Sequence, residues 1–112
     1  MTNRFHILRD GEAVTLARHL PPRFDVQAST RLRGGRAERL AHQVRQDMWR
    51  ALRHVRGFSP VVRLEADEQG WHLTAGGRVA GRVPAGLPGR IADLLEDESH
   101  RVRWLRCAGG AS

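Results

Sequence analysis

The chain has 112 residues, of which 40% are hydrophobic and 28% charged, and this composition fits one folded domain over residues 1–112 rather than a disordered tail. No apolar run approaches the roughly 20 residues needed to cross a bilayer, and the N-terminus lacks the features of a signal peptide. Cys107 is the only cysteine, which excludes an intrachain disulfide and favours a reducing, cytoplasmic compartment.

The formal net charge of +7 is concentrated in one segment. Nine arginines but only two acids, Glu38 and Asp47, lie between Arg31 and Arg63, whereas arginines and acids cancel over the rest of the chain. All 19 basic residues are arginine, which suggests codon bias, but codon bias would not segregate the net charge. A local positive field attracts phosphates, anionic lipids or an acidic protein surface.

The N-terminal part predicts a hairpin or arm. Two short apolar runs flank Asp10-Gly11, a dipeptide that is typical of tight hairpin turns. Consecutive prolines at positions 21 and 22 then predict an extended stretch, because each proline disfavours helix in the residue before it. We expect Phe24 and Val26 to hold this stretch against the core.

The next segment, about 36–56, predicts one long amphipathic helix. Its apolar residues recur at helical spacing and fall within an arc of about 120°. These residues are Ala37, Leu40, Ala41, Val44, Met48, Ala51, Leu52 and Val55. Neither proline nor glycine interrupts the pattern before Gly57, which is expected to cap the helix.

Alternating apolar and polar residues predict a three-stranded antiparallel meander over about 60–84, with turns at 67–70 and at Gly76-Gly77. The long helix is expected to cover one face of it, formed by Val62, Leu64, Trp71, Leu73, Val79 and Val83.

A C-terminal helix is predicted over about 89–106, with a break near Ser99 caused by the acidic cluster 93–98. A strand at 102–106 is the alternative for its second half. Residues 108–112 are expected to fray. Together the elements predict an α+β fold.

The polar face of the long helix is the candidate functional surface. Trp49 lies near its middle, with Arg45 four residues before it and Arg53 four residues after it. Guanidinium groups beside an indole are typical of nucleic-acid surfaces, because cations neutralise phosphates and an aromatic ring stacks on an unpaired base. The candidate residues for binding nucleic acid or another anionic partner are Arg36, Arg39, His42, Arg45, Trp49, Arg50, Arg53 and Arg56.

The alternative interpretation of this face is structural. Trp49 would then pack against the arm near Phe24, and the arginines would be an ordinary solvated face, partly paired with the acidic cluster 93–98. Whether Trp49 meets solvent or protein separates the two interpretations.

Other motifs predict no chemistry. The loop from Arg31 to Arg36 contains two glycines and precedes a helix, but it lacks the lysine and spacing of a phosphate loop, so a hinge is favoured. The G-x-x-G at residues 86–89 fits an ordinary strand-to-helix turn. Six scattered histidines and one cysteine give no metal-ligand spacing. We therefore predict no catalytic residue, metal or cofactor, and lean against an enzyme.

The leading hypothesis is a small nucleic-acid-binding accessory protein that contacts phosphates through the basic helix face. The alternative is a protein-interaction module that docks an acidic partner, or that associates with a second copy through the acidic cluster 93–98. A small enzyme is the least favoured hypothesis.

Overall fold

The computed structural model describes residues 5–109. In chain order the elements are β1 (His6–Asp10), β2 (Ala13–Ala17), β3 (Val26–Leu32), α1 (Ala37–Leu52), β4 (Phe58–Asp67), β5 (Gly70–Val79), α2 (Leu87–Glu96) and α3 (Glu98–Cys107). The strands form one five-stranded antiparallel sheet in the order β1-β2-β4-β5-β3. The predicted α+β class is confirmed. None of the helices in this part of the chain has the length and apolar character needed to cross a membrane.

The core lies between one face of the sheet and the helices. Val62 and Leu64 of β4 and Leu73 of β5 are fully buried there, together with residues of α1 such as Leu40 and Met48. The predicted contact between the apolar arc of α1 and this sheet face is confirmed. Trp71 and Val83, which were assigned to the same face, are partly buried at its margin.

The predicted N-terminal hairpin is confirmed as β1 and β2. Asp10 pairs with Ala13, which leaves a two-residue loop of Gly11 and Glu12. Gly11 has a φ of 62° at the first loop position, where type II′ hairpin turns place glycine.

The predicted three-stranded meander is wrong in its third strand. Strands β4 and β5 do form a hairpin, but Gly76 and Gly77 lie inside β5 rather than in a turn. A Cβ on Gly76 would stand 1.9 Å from the carbonyl oxygen of Val26, and one on Gly77 would stand 2.0 Å from that of Ser59. The glycines therefore mark a close approach of the neighbouring strands and not a reversal of the chain.

The outer neighbour of β5 is β3, which comes from the segment predicted as an extended arm. Only two bulky apolar residues, Val26 and Leu32, bound this strand, and small or polar residues fill its interior. Its sequence therefore carries a weak strand signal, and its place in the sheet depends on pairing with β5.

Helix α1 ends at Leu52 rather than near Arg56, so its predicted C-terminal end is wrong. Gly57 does not cap it. With a φ of 72° this glycine turns the chain into β4, and a Cβ there would lie 2.7 Å from the Cβ of Ala80.

The predicted C-terminal helix is two helices that meet at Asp97. The backbone of Asp97 is extended, and its carboxylate accepts hydrogen bonds from the Ser99 hydroxyl (2.6 Å) and from the His100 N–H (3.1 Å). These bonds, the one from Ser99 first, lower the pKa of Asp97 below its ordinary value. The predicted break near Ser99 is confirmed as an N-cap, and the alternative of a strand at 102–106 is wrong because α3 is helical.

The end of α3 packs onto the start of α1. Ala108, which the expected frayed end included, is buried, and its carbonyl accepts a hydrogen bond of 3.1 Å from the Arg36 N–H. Residues 110–112 of that end lie outside the described residues.

Candidate functional site

Trp49 is 50% exposed. Phe24, its suggested packing partner, lies elsewhere, in a recess on the opposite face of the sheet beside Thr15 and Arg63. Trp49 therefore meets solvent, and the interpretation in which it anchors the arm is wrong.

The exposure of Trp49 follows from the helix geometry. Met48 points into the core and is fully buried, and the next residue is rotated by about 100° around the helix axis. The indole consequently projects from the side of α1. The guanidinium carbon of Arg53 lies 5.4 Å from its ring centroid, a cation–π contact.

A second aromatic ring, that of Phe5, stands on the same side of α1, just before β1. The guanidinium carbon of Arg45 lies 4.5 Å from its centroid, and the His42 ring meets it edge-on at 6.5 Å. Burial, and then the charge of Arg45, lowers the pKa of His42 from its ordinary value of 6.5, so His42 is neutral at pH 7. Burial also lowers the pKa of Arg45, but a guanidinium stays cationic at neutral pH.

A recess of about 300 Å³ opens between the two rings, and we call it the Phe5–Trp49 recess. Its remaining walls are Arg18, Arg45, Gln46 and Arg50. The Nε of Arg45 is buried and has no hydrogen-bond partner among residues 5–109. The recess therefore combines two aromatic walls with a cationic rim.

Both acids of the basic segment are paired with arginines outside α1. Glu38 is paired with Arg9. Asp47 is only 6% exposed and accepts hydrogen bonds from Arg103 and, at 2.6 Å, from the Trp104 indole. Arg50 keeps one ion-pair contact to Asp47, at 3.7 Å.

Four exposed arginines of the predicted set, Arg36, Arg39, Arg53 and Arg56, make no ion pair within the described part of the chain. The acidic cluster 93–98 does not neutralise α1. Within that cluster, Glu96 contacts Arg101 at 3.9 Å and Asp97 caps α3. The outward charge carried by α1 is therefore positive.

The eight predicted site residues divide into a centre and two ends. His42, Arg45, Trp49, Arg50 and Arg53 gather on one side of α1. Arg36 and Arg39 lie toward the helix start beside Arg9, and Arg56 lies beyond the helix end. We call the exposed side of α1 and its extension, from Arg39 to Arg56, the basic flank.

Sequence reasoning missed Phe5 and Arg18 as parts of the site. Both belong to the first two strands or their ends, and only the tertiary structure brings them to α1, so no local pattern could have found them. The inward role of Asp47 had a signal, because a helical wheel places it about 20° from Leu40, next to the edge of the apolar arc.

The glycine loop before α1 has a structural role. The Gly35 carbonyl accepts a hydrogen bond of 3.0 Å from the Trp71 indole, and the Arg36 N–H is bonded to Ala108. These contacts tie the loop to β5 and to the residue that follows α3. Among residues 5–109, no group of three or more His, Cys, Asp or Glu side chains could hold a metal ion.

The proposal of a function depends on the geometry of the basic flank, because the comparisons with known proteins add nothing to it. No protein-family model, curated protein or solved structure matches the chain.

Proposed function

We propose that the protein binds nucleic acid, in the cytoplasm, through the basic flank. The observation that carries the proposal is the half-exposed indole of Trp49, covered on one side by Arg53, on a surface where Glu38 is paired with Arg9 and Asp47 is buried. Apolar rings of this size are usually buried, and an exposed one among cations calls for a partner with both negative charge and flat rings.

The arginines suit phosphate. Their planar guanidinium groups donate hydrogen bonds in a fixed fork that matches phosphate oxygens. From Arg39 to Arg53 the helix rises by about 21 Å, which is long enough to face several consecutive phosphates of one strand. Affinity would come mainly from counterion release, and it should fall steeply as salt is added.

The test compares two charge-matched double variants. Arg50→Ala with Arg53→Ala removes two cations from the basic flank. Arg82→Ala with Arg106→Ala removes two exposed arginines elsewhere that make no ion pair within residues 5–109. Binding of a labelled oligonucleotide of about 12 residues is followed by fluorescence anisotropy between about 50 and 200 mM salt.

The first variant should make the negative slope of log affinity against log salt shallower by between about one and two units, because each lost phosphate contact contributes about 0.7–0.9. The control pair should change it by less than about half a unit. Absence of wild-type binding at the lowest salt, or equal losses in both variants, would contradict the proposal.

A protein-interaction module remains the second candidate, and one observation favours it. Exposed tryptophan and arginine side chains are also typical of binding hot spots, and Asp93, Glu96 and Glu98 offer an exposed acidic surface on another copy. Sedimentation over a concentration series separates the two candidates. The protein-interaction candidate would be supported if the wild-type protein self-associates and binds no oligonucleotide. Replacing all three acids by neutral residues should then abolish the self-association.

A further inference from the structure

We infer that the Phe5–Trp49 recess accepts one unpaired base, so that the protein binds single-stranded nucleic acid in preference to a duplex. This inference rests on the proposed function and specifies the strand state that the basic flank recognises.

The size of the recess is the first argument that it accepts a single base. Its volume of about 300 Å³ lies at the lower limit of small-ligand pockets, which accommodates a single flat ring system rather than a base pair. Phe5 and Trp49 form aromatic walls, and Arg45 and Arg53 each cover one of these rings. Because Arg53 covers one face of the indole, a base that stacks on Trp49 would lie against the other face.

The polar groups around the recess match the rest of a nucleotide. The Gln46 amide can both donate to and accept from the edge of a base. About 6 Å of helix rise separates Trp49 from Arg45 and from Arg53, so the phosphates on either side of a seated base would each meet a guanidinium. The Nε of Arg45 has no hydrogen-bond partner within residues 5–109, and a phosphate would supply an acceptor to this guanidinium.

A duplex fits this surface poorly. In a duplex the faces of the bases are stacked on one another, and a protein ring reaches them only by opening a base step. If α1 entered the major groove instead, Trp49 at the centre of the flank would direct an apolar ring at polar base edges and phosphates. An unpaired strand presents free base faces and meets neither obstacle.

Four oligonucleotides of the same length test the inference on the wild-type protein. They are a single-stranded DNA, an RNA of the same sequence, the corresponding DNA duplex, and the single-stranded DNA with abasic sites at its central positions. We expect the single strands to bind on the order of tenfold more tightly than the duplex, and the abasic strand to lose about the same factor while its phosphates are unchanged. The comparison of DNA with RNA identifies the preferred sugar.

Variants at Trp49 attribute the effect to the recess. Trp49→Leu keeps an apolar side chain without a π face and should weaken single-strand binding on the order of tenfold, with little change for the duplex. Trp49→Phe should retain most of the affinity. Leu20→Ala removes another exposed apolar side chain, 48% exposed and outside the recess lining, and serves as the control.

The outcomes separate the two proposals. Duplex binding as tight as single-strand binding, or an abasic strand that binds as well as the intact one, would overturn the recess inference and leave the proposed function standing. Failure of all four oligonucleotides to bind would overturn both. The abasic comparison uses the wild-type protein, so it decides the question even if a Trp49 variant folds poorly.

Discussion

The indole N–H of Trp104 donates a hydrogen bond of 2.6 Å to the carboxylate of Asp47, across the contact between α3 and α1. Both residues are nearly inaccessible, with Trp104 at 0% and Asp47 at 6% exposure, and Arg103 donates a second hydrogen bond to the same carboxylate. Asp47 and Trp49 are two residues apart and point about 160° apart around the helix. The bond that holds Asp47 inward therefore helps to set the rotation of α1 that turns Trp49 outward.

Replacement of Asp47 should destabilise the fold strongly. Asp47→Ala leaves the Trp104 N–H buried without an acceptor and removes the partner of Arg103, so the free energy of unfolding should fall by about 3 kcal/mol. Urea denaturation measures this change. The control Asp93→Ala removes an exposed acid that has no ion pair within residues 5–109, and should stay within about 0.5 kcal/mol of wild type. Equal effects of the two substitutions would show that the buried carboxylate contributes nothing particular.

Replacement of Arg45 should stabilise the fold and weaken oligonucleotide binding. Arg45→Met keeps an unbranched side chain over Phe5 but removes a buried Nε that has no partner among the described residues. Relief of an unsatisfied donor, less the lost cation–π contact, should raise the free energy of unfolding by about 1 kcal/mol and the melting temperature by a few degrees. Oligonucleotide affinity should fall in the same variant. A variant that loses both stability and binding would instead identify Arg45 as a packing residue.

Two glycine-to-alanine substitutions should have opposite effects. A Cβ on Gly76 would stand 1.9 Å from the Val26 carbonyl oxygen, whereas one on Gly89, inside α2, has no neighbour within 4 Å. Gly76→Ala must push β3 away from β5 and should lower the melting temperature sharply or prevent folding. Gly89→Ala should add about 0.5–1 kcal/mol, because alanine favours helix and restricts the unfolded chain. Thermal unfolding of both variants checks the pair, and a mild effect at Gly76 would contradict the close approach of the strands.

Predictions from local patterns succeeded where one element decides the outcome. The spacing of Leu40, Val44 and Met48 indicated α1 and its buried face, and Asp10-Gly11 indicated the first hairpin. In each case the residues that carry the pattern are adjacent along the chain, and their interactions lie within one helix or one turn.

Predictions from the sequence failed where the local structure depends on residues that are distant along the chain. Gly76-Gly77 has the composition of a turn, yet β3 and β4 approach so closely there that only glycine fits. Strand β3 was missed for the same reason, since its small and polar residues form a strand through pairing with β5. In the C-terminal segment the sequence pattern predicts a break near Ser99, but it does not identify Asp97 as the residue whose side chain caps the second helix.

The sequence by itself determined that the positive charge is confined to one amphipathic segment, because charge order and helical periodicity are properties of neighbouring residues. Only the tertiary structure decided what that segment presents. The buried bond between Asp47 and Trp104 helps to set the rotation of α1, and the sheet brings Phe5 beside Trp49. Both arrangements depend on contacts between residues far apart in the chain, which no local pattern encodes.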